Sequence, residues 1–143
     1  MRIMQISVFL ENRTGQLSEI TQLLARNQID IRAISIAETS SYGLARMIVS
    51  DTPKAQEVLL QHGDMLSVTP VWAVEVPDEP GGLAQLLQLL AQHHIDIEYM
   101  YSLFTHQAGK AYMVLRIPNE TDFLRILEEK GLHLLDMQAL GLR

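Results

Sequence analysis

The 143-residue chain has no cysteine, so disulfides, thiolate metal sites and a cysteine nucleophile are excluded by count. Basic side chains are few and dispersed. Eleven lysines and arginines stand against 17 aspartates and glutamates, a net charge of −6, and no basic cluster is present to grip a phosphate backbone. Nucleic acid is therefore not an expected partner. The apolar runs fall far short of a membrane span, and the amino terminus lacks a basic flank followed by a signal-like apolar core. The expected setting is the cytoplasm, with no membrane association. Gly81-Gly82 fits neither G-x-G-x-x-G nor a loop ending in Gly-Lys-Ser/Thr, which removes the dinucleotide and phosphate-loop signatures. His93, His94 and His106 show no metal-ligand spacing, and no Ser/His/Asp arrangement can be nominated. No metal, cofactor or catalytic residue is expected.

What the chain does have is a globular composition, 48% hydrophobic and 20% charged, and an internal repeat. A shift of 66 residues lays Gly15, Leu17, Gln22, Leu23, Leu24, Ala25, Ile29, Asp30 and Ile31 on Gly81, Leu83, Gln88, Leu89, Leu90, Ala91, Ile95, Asp96 and Ile97. At the same offset Gly43, Ala45 and Met47 meet Gly109, Ala111 and Met113, and Gly63 meets Gly131 after a further two residues. The expected domains are residues 1–70 and 71–143. Each is too small for more than a marginal core, and no Gly/Ser/Pro-rich linker separates them, so the copies are expected to pack on each other. Their charges differ: six basic and seven acidic groups in the first, five and ten in the second.

Within a copy the hydrophobic period alternates between two and 3.6. Ile6, Val8 and Leu10 mark an opening strand, as do Trp72, Val74 and Val76. Leu17, Ile20 and Leu24, matched by Leu83, Leu86, Leu87 and Leu90, draw an apolar stripe down a first helix. Second strands are expected over Ile29 to Glu38 and Ile95 to Phe104, with turns around Ser40 to Gly43 and His106 to Gly109 leading to third strands. Second helices start at Thr52-Pro53, with Thr52 read as the cap, and at Asn119 with Asp122 three residues on. They stop at Gly63 and Gly131, which suit the left-handed position after a helix. Final strands are expected near Met65 to Thr69 and Leu134 to Ala139. Each copy is thus β-α-β-β-α-β, an α+β ferredoxin-like plan in which the helices cover one face of an antiparallel sheet.

Two such copies, each with a strand running into Asn/Asp-x-x-Gly-x-Leu and a leucine-striped helix, resemble the ACT domain of amino-acid-responsive regulatory proteins. The motif reads Asn12-Arg13-Thr14-Gly15-Gln16-Leu17 in the first copy and Asp78-Glu79-Pro80-Gly81-Gly82-Leu83 in the second. The tract Ile97-Glu98-Tyr99-Met100-Tyr101 also looks like the small tandem-ACT proteins of bacteria. The resemblance implies that the loop between first strand and first helix forms, with a neighbouring unit, a pocket for a free amino acid. In some members this ligand is lost and the units only hold subunits together.

The residues suit such a pocket. A helix amino terminus offers unpaired N–H groups and positive potential, and glycine lets a ligand approach the backbone. Asn12, Arg13, Thr14 and Gly15 would hold an α-carboxylate, while Asp78 and Glu79, with Pro80 and Gly81, would take the α-ammonium if the loops face one another. The same residue types also start helices for local reasons. Glu98 and Tyr99 either line a pocket edge or face the other copy. The leading expectation is a non-enzymatic amino-acid sensor that forms a homodimer; the alternative is a regulatory subunit docking on a partner enzyme. An acylphosphatase-type activity would use Asn12 and Arg13, but the second copy keeps neither.

Overall fold

The computed structural model describes every residue except Met1, Asn12, Thr39, Ser40, Thr105 and His106. The elements are β1 (Ile3–Glu11), α1 (Gln16–Arg26), β2 (Ile31–Glu38), β3 (Tyr42–Val49), α2 (Thr52–His62), β4 (Leu66–Pro77), α3 (Gly82–Gln92), β5 (Tyr99–Leu103), β6 (Lys110–Arg116), α4 (Glu120–Lys130) and β7 (Leu134–Leu135). The fold is α+β, with the β-α-β-β-α-β plan present twice. The first copy orders its strands β2-β3-β1-β4, and the second orders them β7-β4-β6-β5, with β4 contributing to both.

Two compact units result. One comprises Met4–Pro70 with Met137–Arg143; the other comprises the N-terminal residues through Ile3 with Val71–Asp136. Each copy therefore keeps a short terminal segment from the other end of the chain. In the first-copy unit the Thr52 amide at the start of α2 donates to the Arg143 carbonyl at 2.8 Å, and Arg143 donates to the Ser50 carbonyl at 3.0 Å. In the second-copy unit Arg2 pairs with Glu120, in the first turn of α4, at 3.1 Å and lies over the Trp72 ring at 5.5 Å.

Each unit has its own core, set by the stripes and alternations of the sequence. Ile6, Val8, Ile20, Leu24, Met47 and Leu59 fill the first; Trp72, Val74, Leu86, Leu90, Leu115 and Phe123 fill the second. Both first helices end alike, with Gln28 and His94 at positive φ and the amides of Ile29 and Ile95 turned back to Leu24 and Leu90. That use of the backbone delays the second strands, which begin at Ile31 and Tyr99 and not at Ile29 and Ile95.

The strand register corrects the repeat. Ile6 pairs with Met47 and Ala45 with Val8, but Trp72 pairs with Leu115 and Val74 with Met113. Third strands thus correspond at an offset of 68, so Met47 matches Leu115 and Tyr42 matches Lys110. The extra two residues lie between β5 and β6, ahead of the third strand. A shift of two preserves which side chains face the core, so hydrophobic alternation is blind to it. The same offset places Asp51, and not Thr52, opposite Asn119. Asp51 caps α2 by accepting from the Lys54 amide, just as Asn119 accepts from the Asp122 amide, leaving Thr52 as the first helical residue. The last expected strand is also shortened, to Leu134–Leu135, because turns closed by Gly141→Gln138 and Leu142→Met137 hydrogen bonds follow it. The strand expected near Met65 to Thr69 begins at Leu66 and is continuous with the strand at Trp72, the two forming β4.

Candidate functional site

In the first copy the β1–α1 loop is closed by its own side chains. Gly15 takes φ 85°, which only glycine adopts without strain, and α1 starts after it with no side-chain cap. The Gln16 side chain is buried and accepts the Glu11 amide at 2.7 Å. Arg13 grips Glu19 with two hydrogen bonds, 3.0 and 3.2 Å long. These bonds hold the Glu19 carboxyl below its ordinary range and raise the Arg13 guanidinium. Both side chains are about half exposed, so the pair is a surface one. Thr14 is exposed and Asn12 lies outside the described residues. Phe9 stacks on Tyr42 with centroids 4.9 Å apart.

The second copy builds the same loop with different chemistry. Gly81 repeats the left-handed turn at φ 89°, but Gly82 replaces glutamine and Pro77 replaces Glu11. The change is coupled: proline has no amide to satisfy, and a Cβ at Gly82 would collide with the Pro77 carbonyl oxygen. Asp78, Glu79 and Pro80 are exposed, and the Asp78 amide donates to Gly109 at 3.0 Å, tying the loop to the β5–β6 turn. Where the first copy stacks Phe9 on Tyr42, the second pairs Glu75 with Lys110 at 2.7 Å. The Glu75 carboxylate is largely buried, and its hydrogen bond raises the Lys110 ammonium.

Around this loop the surface is concave. A depression of 360 Å³ opens between Pro77, Gly82, the α3 amides Gln85 and Gln88, and Leu132. A second, of 320 Å³, shares Glu75, Pro77 and Leu132 with it and adds Lys110 and His133. Both are within the range of small-molecule sites. Glu98 and Tyr99 line neither: Glu98 approaches Arg116 at 3.7 Å and Tyr99 stacks on Tyr101 at 6.5 Å. Asp78, Glu79, Pro80 and Gly81 line neither depression and form the exposed loop between the lining residues Pro77 and Gly82, while Arg13 is engaged with Glu19. Sequence reasoning missed Glu75, Lys110 and the glutamines. The signal available was Gln85, Gln88 and Gln92 recurring at helical spacing on α3. Among the described residues no group of His, Asp and Glu could hold a metal, and no helix is long and apolar enough to cross a membrane.

Two β-α-β-β-α-β units, the second with depressions beside its strand–helix loop, define a paired ferredoxin-like fold. The chain belongs to the ACT domain pair family, whose model matches residues 1–141. It is similar to the crystal structure of protein BT0572 from Bacteroides thetaiotaomicron, with 38% identity and TM-score 0.89 over 99% of this chain and 96% of that one. It also shares its fold with the ligand-free regulatory subunit of aspartate kinase from Thermus thermophilus (19% identity, TM-score 0.63, 88% and 90% covered). The corresponding subunit from Thermus flavus gives 20% identity and TM-score 0.55 over 88% and 90% of the two chains. A search of curated proteins matches nothing.

Proposed function

We propose that this protein is a non-enzymatic sensor of a free amino acid, acting in the cytoplasm, and that the ligand sits in the second-copy cavity beside Gly82. The observation that carries this reading is the 360 Å³ depression beside Gly82 in the second copy, at the loop where the first copy has Gln16, buried and bonded to the Glu11 amide. The neighbouring ion pair supplies the recognition chemistry. A zwitterion can set its ammonium on Glu75 and its carboxylate on Lys110, exchanging one charge pair for two. Asp78 and Glu79, in the exposed loop between Pro77 and Gly82, add longer-range attraction for the ammonium. Leu86, Leu89 and Leu132 offer apolar surface to the ligand side chain. Membership of the ACT pair family and likeness to a subunit named as regulatory support the reading. Signalling then needs only a ligand that binds one state of the protein better than another.

Thermal melting with each of the 20 amino acids at millimolar concentration tests it. A ligand at about 100 times its dissociation constant adds roughly 2.7 kcal/mol. One or a few should raise the melting point, and Glu75→Gln or Lys110→Met should remove the rise. Flat curves for all would favour the second reading, a regulatory subunit docking on a partner enzyme. Exposed Leu60 and Met65 on the first-copy unit give that reading its support.

A further inference from the structure

We propose that the depression beside Gly82 selects an amino acid whose side chain ends in a carboxamide, with glutamine the ligand of best fit. The inference rests on the sensor reading above and adds to it the chemistry of the ligand's side chain. Helix α3 carries no charged residue, and its only polar side chains are the amides Gln85, Gln88 and Gln92. All three line this one depression. The other exposed side chains of the helix are the alanines at 84 and 91. A helix made polar for solubility alone sets charged groups around its solvated side, as α1 does with Ser18, Glu19, Thr21, Gln22 and Arg26. On α3 polarity is confined to the side that meets the depression, and it is of a single chemical kind.

The first copy shows what these positions do when they are structural. At an offset of 66, Gln85 and Gln88 stand where Glu19 and Gln22 stand in α1. Glu19 is held by Arg13, and the Gln22 amide donates to the Ser18 hydroxyl at 2.7 Å. Neither partner survives in the second copy, where Glu79 replaces Arg13 and Ala84 replaces Ser18. Lys130 and Leu132 replace His62 and Asp64, so the 2.8 Å contact of that pair has no counterpart either. Among the described residues the side chains of Gln85, Gln88, Gln92 and Lys130 make no hydrogen bond or ion pair with the protein. Four polar groups thus converge on one concave surface with their bonding capacity available to a ligand.

Their chemistry sets what that ligand's side chain must offer. An ammonium only donates, whereas an amide both donates and accepts. A terminal carboxamide matches both: its oxygen accepts from Lys130 or a glutamine NH2, and its own NH2 donates to a glutamine carbonyl. A carboxylate would accept only. It would also add negative charge beside Asp78 and Glu79, in a copy that already has ten acidic against five basic groups. Along α3, Gln85 lies about 4.5 Å beyond Gly82 and Gln88 about 9 Å. With the ligand's ammonium on Glu75 and its carboxylate on Lys110, a stem of two methylenes lies on Leu89 and Leu132 and carries the amide to the glutamine row.

Calorimetry on the whole chain with L-glutamine, L-glutamate and L-norleucine tests the proposal, norleucine having a stem of similar length and no polar end. Glutamine should bind about tenfold or more tightly than either, the size of one or two net hydrogen bonds. Gln88→Leu and Lys130→Met should each weaken glutamine several-fold and leave norleucine unchanged. Ala84→Ser should act in the same direction, because it gives Gln88 the hydroxyl partner that Gln22 has in the first copy. All three changes are at exposed positions, and unliganded melting should show each variant folded as wild type. Glutamate or norleucine binding as tightly as glutamine, with Glu75→Gln removing it, would overturn the side-chain selection and leave the sensor reading standing. Glutamine binding indifferent to Gln88→Leu and Lys130→Met would overturn it in the same way. No binding of any amino acid would overturn both.

Discussion

The two copies share a backbone plan and differ in chemistry at the loop between first strand and first helix. In the first, Gln16 bonds the Glu11 amide, Arg13 pairs with Glu19, Phe9 stacks on Tyr42, and His62 lies 2.8 Å from Asp64. At the matching positions the second copy has Gly82 and Pro77, Glu79 and Gln85, Glu75 with Lys110, and Lys130 with Leu132. The first set satisfies itself. The second leaves a depression lined by a largely buried carboxylate and by amide side chains along α3. On the sensor reading proposed above, duplication permits one copy to be committed to structure while the other keeps binding chemistry.

Gly82→Ala should have the largest effect. Its Cβ meets a backbone oxygen, so the β4–α3 connection must shift, and overpacking of this kind costs about 3 kcal/mol. Denaturant unfolding would show it, and the amino-acid-dependent rise in melting point should vanish with it. A variant of unchanged stability would mean that the close Gly82–Pro77 approach does not distinguish the copies.

Leu142→Ala comes next. The side chain is buried in the first-copy unit, and its truncation should cost about 2–3 kcal/mol. Hydrogen exchange locates the damage: the Thr52 amide, bonded to Arg143, should lose protection, while the Asp122 amide, capped by Asn119, should keep it. Equal loss at both would break the assignment of the C-terminal segment to the first copy.

Gln16→Ala is milder, about 1 kcal/mol for the lost bond to a partly buried amide. It should also confer no amino-acid binding on the first copy, since Phe9 and Tyr42 still stand where Glu75 and Lys110 do. Calorimetry finding one ligand per chain in both wild type and variant would support this, and a second site in the variant would contradict it.

How far these differences were legible in the sequence depends on what each residue type announces. Leucine stripes, the left-handed glycines and Asn119 speak locally, and the structure follows them. The two-residue insertion before β6 is silent, because alternation survives an even shift, and it concealed the match of Tyr42 to Lys110. Without that match the Glu75–Lys110 pair has no visible counterpart and no reason to be singled out. Arg13 was conspicuous as a cation beside a helix start, but its partner Glu19 lies one turn into α1, where a glutamate reads equally well as a solvated helix residue.

The smallest effect tests whether that last pairing is particular to the first copy. Glu19 has its folded pKa lowered, chiefly by the Arg13 hydrogen bonds, so the pair stabilises the fold above the ordinary glutamate range, about 4.3, and the contribution disappears as pH falls through the lower folded value. Glu19→Gln should therefore melt slightly below wild type at neutral pH and converge with it in acid. Salt should narrow the neutral-pH gap, as for any exposed pair. Gln85→Glu makes the reciprocal change in the second copy, where Glu79 and not an arginine occupies the matching loop position. That new carboxylate has no loop arginine to hydrogen-bond it, only Lys130 lining the same depression, so any gain in melting with rising pH should be smaller than the loss in Glu19→Gln. A gain with rising pH equal to the loss in Glu19→Gln would show that the two loops present the same potential to α1 and α3, and the electrostatic half of the comparison would fall.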